Sequence, residues 1–143
     1  MSPEQLLGEL EGEGQVVIGD LEAGIGTLLR LHPGMADAIL VVVQPTAKSL
    51  EIGGRAARIA AARNVEVVLV ANRVRNEGDM SAIRAVLGDQ EVVVVPDDPA
   101  ILRADQQGLA PIDVSSDSPG VAAIGALAER IAAQPRSAAS STK

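Results

Sequence analysis

No cysteine, phenylalanine, tyrosine or tryptophan occurs among the 143 residues, and His32 is the only histidine. Without cysteine there is no disulfide, no thiolate metal site and no thiol nucleophile. Without aromatic rings there is no stacking platform for the bases of a single strand. The net charge of −7 opposes any polyanion, so no nucleic-acid partner is expected. A Ser–His triad or a histidine-based zinc site would rest on His32 alone, and His32 precedes Pro33-Gly34 in what reads as a surface loop. No apolar run approaches the ~20 residues that span a bilayer. The acidic N-terminal stretch, with Glu4, Glu9, Glu11 and Glu13, is not that of a signal peptide. The expectation is a soluble, cytoplasmic protein.

Hydrophobic residues make up 47% of the chain, so the core must be built of Val, Leu, Ile and Ala. The length suits one domain, expected over 1–134, with the tail "PRSAASSTK" disordered over 135–143. Ser2-Pro3-Glu4-Gln5 has the order of a helix start, and a helix is expected over Pro3–Glu11. Four apolar runs read as strands: Val16–Ile18, Ile39–Val43, Val65–Ala71 and Val92–Val95. Continuous β-branched runs suit strands buried on both faces, as in parallel sheets. Helices are expected between and after them at Thr46–Arg63, Asp79–Leu87, Pro99–Gln107 and Val121–Ala133, the last capped by Asp117 or Ser118. Leu50, Gly53, Gly54, Ala57, Ala60 and Ala61 form a small-residue face on the first of these, suited to close packing on a sheet. The alternation gives an α/β fold with a parallel sheet of about four strands and helices on both faces.

Ligands of such sheets bind beyond the carboxyl ends of the strands. All four expected ends are polar: Asp20, then Gln44-Pro45-Thr46, then Asn72-Arg73, then Pro96-Asp97-Asp98. The stretch "VVIGDLEAGIG" poses the main question, because an aspartate at a strand end usually serves a phosphate-binding loop. Gly19 and Gly24 have the spacing of a Walker A loop, but Ile25-Gly26 stands where Lys-Ser/Thr is required, and Asp20 and Glu22 would repel phosphate. Gly24-Ile25-Gly26 offers two glycines of a dinucleotide fingerprint, but Leu29 takes the place of the third. A receiver-like domain is disfavoured because the fourth run is followed by Pro-Asp-Asp and not by lysine.

"DLEAGIGTLLR" resembles the Walker B and switch II segment of the MinD/ParA-type ATPases, most closely the CooC group that inserts nickel into carbon monoxide dehydrogenase. "ADAILVVVQPTAKSLEIGGRAARIAA", "NVEVVLVANRV" and "VVVVPDDPAILRADQQGLAPI" resemble that group's later segments in order and spacing, so the likeness runs over roughly residues 15–133. It corresponds to the second half of the family fold. The deviant Walker A with its lysine, the switch I aspartate and the family's Cys-x-Cys metal site have no counterpart in this sequence.

The resemblance implies a truncated or degenerate ATPase domain that keeps switch II and adenine-side elements. It implies that Asp20 holds a magnesium-bound water, that Gly24 offers a backbone N–H to a γ-phosphate, that Asn72 reads the adenine edge, and that Pro96, Asp97 and Asp98 line the base through their backbone. Arg73 is the second residue of the family's Asn-Arg/Lys pair and counts with the binding residues, although its side chain, like that of Arg75, reads as solvated. ATP or ADP with Mg would be the ligands, bound weakly or not at all by the isolated chain and without autonomous hydrolysis. A homodimer, or a partner chain supplying the phosphate-binding half, would complete the site. Two other readings stay open: a non-catalytic interaction module on the same fold, and a Rossmann-type dinucleotide binder.

Overall fold

The computed structural model describes residues 16–21, 25–30 and 34–133. The expected N-terminal helix, Glu22, Gly24, His32 and the C-terminal tail lie outside the described residues. The elements are α1 (Ile25–Arg30), β1 (Ala38–Val43), α2 (Ala47–Ala62), β2 (Glu66–Val74), α3 (Glu77–Leu87), β3 (Val92–Pro96), α4 (Pro99–Gln106), α5 (Pro111–Val114) and α6 (Pro119–Ala132). The three strands form one sheet in the order β1-β2-β3. Both pairings are parallel, with Val41 opposite Leu69 and Leu69 opposite Val92.

The α/β class and the parallel sheet are as the apolar runs imply, but the described residues form three strands and not four. The run Val16–Ile18 is in no strand, and all three side chains are exposed. A β-branched triplet becomes a strand only when a neighbour pairs with it and packs on it, and β1 pairs with β2 alone among the described residues.

Alternation along the strands sorts the core into two faces. Val41 and Val43 of β1 join Leu69 and Ala71 of β2, and Leu50, Ala57, Ile83 and Leu87 of α2 and α3 cover them. Both connecting helices therefore lie on one face, as expected for crossovers that run in one direction. Gly53 and Gly54 are buried on α2. A Cβ at Gly53 would collide with the Val43 side chain, so the helix lies directly on the strand. Ala61 turns outward, contrary to its expected place on this face. α1 extends the same layer, with Leu28 buried beside Ala60. On the other face, Leu127 of α6 covers Val68, Val70 and Val95. Nothing described covers the β1 part of that face, where Leu40 is 39% and Val42 58% exposed.

Helix starts follow side-chain capping. Thr46 caps α2, Asn76 caps α3 and Asp98 caps α4, each accepting a hydrogen bond from a backbone N–H of the first turn. Each cap satisfies an N–H that the helix cannot bond internally. Ser118, and not Asp117, is the N-cap residue of α6.

Candidate functional site

In a parallel sheet all carboxyl ends lie on one edge, and here three caps stand along it. After β1, the Ser49 hydroxyl accepts from the Gln44 N–H at 2.9 Å, closing the turn into α2. After β2 and β3 come Asn72-Arg73 and Pro96-Asp97-Asp98. These five residues, expected on separate grounds, are brought together at the ends of adjacent strands. Asn72 is the register partner of Val95, and Val74 is that of Pro96.

β2 runs to Val74, three residues beyond its expected end at Ala71, so Asn72 and Arg73 lie within the strand and not in a turn. Between Asn72 and Val74 the ladder skips a residue. Arg73 is that residue, with φ of 61°, in the left-handed region. The skip has a packing result: Val74 takes its place in the α2–α3 core behind Ala71, where unbroken alternation would have put Arg73. The Arg73 N–H donates to Oδ1 of Asn72 at 3.0 Å. Its Nε donates to Oδ1 of Asp97 at 3.3 Å, linking the ends of β2 and β3. Both partners are well exposed, so the pair adds little stability. The Asp97 N–H donates to the Val74 carbonyl at 2.9 Å.

Asp98 is not available to a ligand through its carboxylate. Oδ1 accepts from the Ala100 N–H at 2.9 Å, and Oδ2 accepts from the Gly120 N–H at 2.8 Å. One side chain thus ties the starts of α4 and α6 together. The neighbouring Ser118 hydroxyl, then the Ala100 amide, hold this carboxyl below the usual carboxylate range. Gly120 is required by closeness: a Cβ there would come within 2.8 Å of the Asp98 Cβ.

The sequence reading missed a second carboxylate. Asp79 is buried at the first turn of α3, accepting from the Arg75 N–H at 2.9 Å and from its Nε at 3.0 Å and Nη2 at 3.1 Å. Hydrogen bonding from the Arg75 side chain, then from its amide, depresses the Asp79 pKa, and Asp79 raises that of Arg75 in return. The signal was the Asn76–Asp79 spacing, which has the form of a capping box. Its effect is to fix the turn from β2 into α3, directly behind Arg73.

Asp20 is exposed in the 16–21 segment, with no strand beneath it. The described residues contain no group of three or more His, Cys, Asp or Glu side chains able to hold a metal. None of their helices is long and apolar enough to cross a membrane.

This arrangement is that of a MinD-like α/β fold. The MinD cell division protein of Aquifex aeolicus superposes with a TM-score of 0.56 at 21% identity, over 72% of this chain and 47% of that one, a likeness of fold. In sequence the chain is 28% identical over 132 residues to an uncharacterized ATP-binding protein of Methanocaldococcus jannaschii, covering 90% of this chain and 50% of the relative. A second protein so described from the same organism is 33% identical over 108 residues, covering 71% of this chain and 41% of the relative. The chain spans half or less of the length of these relatives. No family model matches it.

Proposed function

We propose that this chain forms the base side of an adenine-nucleotide site and does not hydrolyse ATP by itself. The observation that carries the reading is the convergence of Asn72, Arg73, Pro96, Asp97 and Asp98 at the carboxyl ends of β2 and β3. The description of its sequence relatives as ATP-binding proteins supports the ligand class. The Asn72 carboxamide can donate and accept in one plane, as a base edge requires. Asp98 contributes by fixing the turn, leaving the backbone of Pro96 and Asp97 to line the base. Phosphate stabilisation in P-loop enzymes comes mainly from a lysine and a nest of backbone amides, and "VVIGDLEAGIG" carries no such lysine.

Magnesium is usually held by one or two carboxylates together with substrate phosphates. Asp20, one exposed carboxylate, suits only the outer role of holding a water on an ion that phosphate oxygens already bind. Gly24 would offer its N–H to the same phosphates. A second copy or a partner chain would supply the remaining phosphate contacts.

Calorimetric titration with adenosine and with ATP tests this reading. Adenosine should bind about as well as ATP, and phosphate release from ATP should stay at background. ATP binding far tighter than adenosine, or magnesium-dependent hydrolysis lost in Asp20→Ala, would overturn it. A second reading, a non-catalytic interaction module, draws on the bare Leu40 and Val42 of β1, whose outer edge has no strand partner among the described residues. Binding to a protein partner at one-to-one stoichiometry with no nucleotide effect would favour it. The dinucleotide reading is weakened because α1 is not preceded by a described strand.

A further inference from the structure

Arg73 holds a conformation that costs a residue with a side chain of order 1 kcal/mol or more. The packing of Val74 requires one extra residue in β2, and glycine would supply it without strain. The left-handed turn has another result. It takes the Arg73 N–H out of the β2–β3 ladder and aims it at Oδ1 of Asn72. No group among the described residues accepts from Nδ2 of Asn72, so that nitrogen is free to donate.

A carboxamide can turn over about its last bond, exchanging donor and acceptor. In one sense it matches a base edge with an amino group beside a ring nitrogen. In the other it matches an edge with a carbonyl oxygen. At Asn72, turning over would set the NH2 group against the Arg73 N–H, donor against donor. We propose that the Arg73 backbone is a flip lock: its N–H fixes the orientation of the Asn72 carboxamide, and so makes the site select 6-aminopurines over 6-oxopurines. The second lone pair of Oδ1 accepts from the 6-amino group, while Nδ2 donates to the neighbouring ring nitrogen. Arg73 is thereby a positioning residue acting through Asn72, and its guanidinium is occupied elsewhere, by Asp97. The inference rests on the adenine-side reading of this edge.

Adenosine and inosine differ at the 6-position, amino in one and oxo in the other, and serve as the probes. The wild-type chain should prefer adenosine by about tenfold or more, the scale of one well-formed bidentate pair. Arg73→Val disfavours the left-handed turn and should bring the ratio close to one. Arg73→Gly keeps both the turn and the N–H and should retain the preference, whatever its overall affinity. A ratio retained in Arg73→Val, or lost in Arg73→Gly, overturns the lock. Hydrogen exchange needs no variant: the Arg73 amide should be protected in the wild-type chain, and an unprotected amide overturns the proposal even if Arg73→Val fails to fold. Adenosine binding without preference over inosine would remove the lock and leave the base site standing. Absence of binding to either nucleoside would remove both.

Discussion

β1 and β3 each pair with β2 alone among the described residues, but the β3 side is tied down and the β1 side is not. At β3, α6 covers one face through Leu127, Asp98 ties two helix starts together, and Arg73 and Asp97 bridge the strand ends. At β1, one face is packed so closely by α2 that Gly53 has no room for a side chain, while Leu40 and Val42 on the other face meet solvent. Yet β1 has the more uniformly apolar sequence, "AILVVV". It carries no charge and no proline, the usual guards of an open edge. Its composition is that of an interior strand, so the β1 side reads as a surface prepared for cover.

The largest effect that would sharpen this contrast is in the core. Leu50→Ala, on the buried side of α2, should cost about 3 kcal/mol of unfolding free energy, whereas Val42→Ala on the bare face should change it by less than about 0.5 kcal/mol. Urea denaturation of both variants checks this. A loss at Val42 comparable to that at Leu50 would mean that something already covers β1 in solution.

Next comes Asp79, whose buried carboxylate holds the turn behind the candidate site. Its folded pKa lies below the ordinary value of 3.8. The stability it contributes is therefore present above the unfolded pKa and is lost as pH falls through the folded one. Asp79→Asn should lower the urea midpoint near neutral pH and make its decline below about pH 4 shallower. Some slope will remain, because Asp98 is depressed in the same direction. An acid limb as steep as that of the wild type would show that the Arg75 contacts carry no differential charge energy.

The smallest effect on stability, and the most direct on the contrast, belongs to Val42→Lys. The unfolding midpoint should barely move. Light scattering after size exclusion at micromolar concentration should show the wild-type chain associating and the variant shifted toward the monomer. A wild-type chain that is already monodisperse as a monomer would break the comparison at its β1 end.

The parallel sheet was legible because three runs of β-branched residues are long enough to be buried on both sides. The helices between them were legible within a few residues, since capping side chains and small-residue faces mark them. Val16–Ile18 reads equally well as a strand, but strand formation depends on a neighbour that local sequence does not reveal. The convergence of Asn72, Arg73 and Pro96–Asp98 followed from topology alone. Their geometry did not: the bulge is visible only as the step from Ala71 to Val74, a spacing of three where alternation requires two. The capture of the Asp98 carboxylate by the Ala100 and Gly120 N–H groups was not legible, because it depends on α6 being brought beside the start of α4. The short α5, four residues beginning at Pro111, is too brief for a periodic pattern.

The sheet order has a consequence for how the chain is made. Among the described strands β2 pairs with β1 and β3 with β2, each with the one immediately before it in sequence, so none of the three must be inserted between two others. Contacts are between near neighbours along the chain, which favours rapid folding, and the sheet can lengthen in the direction of synthesis. β1 precedes β2 and β3 in the chain, so of the described strands it waits longest for the elements that pack on it. Among the described strands the least protected one is thus made before those that pair beside it, so the period in which it is most open to a partner, or to misassociation, begins during synthesis.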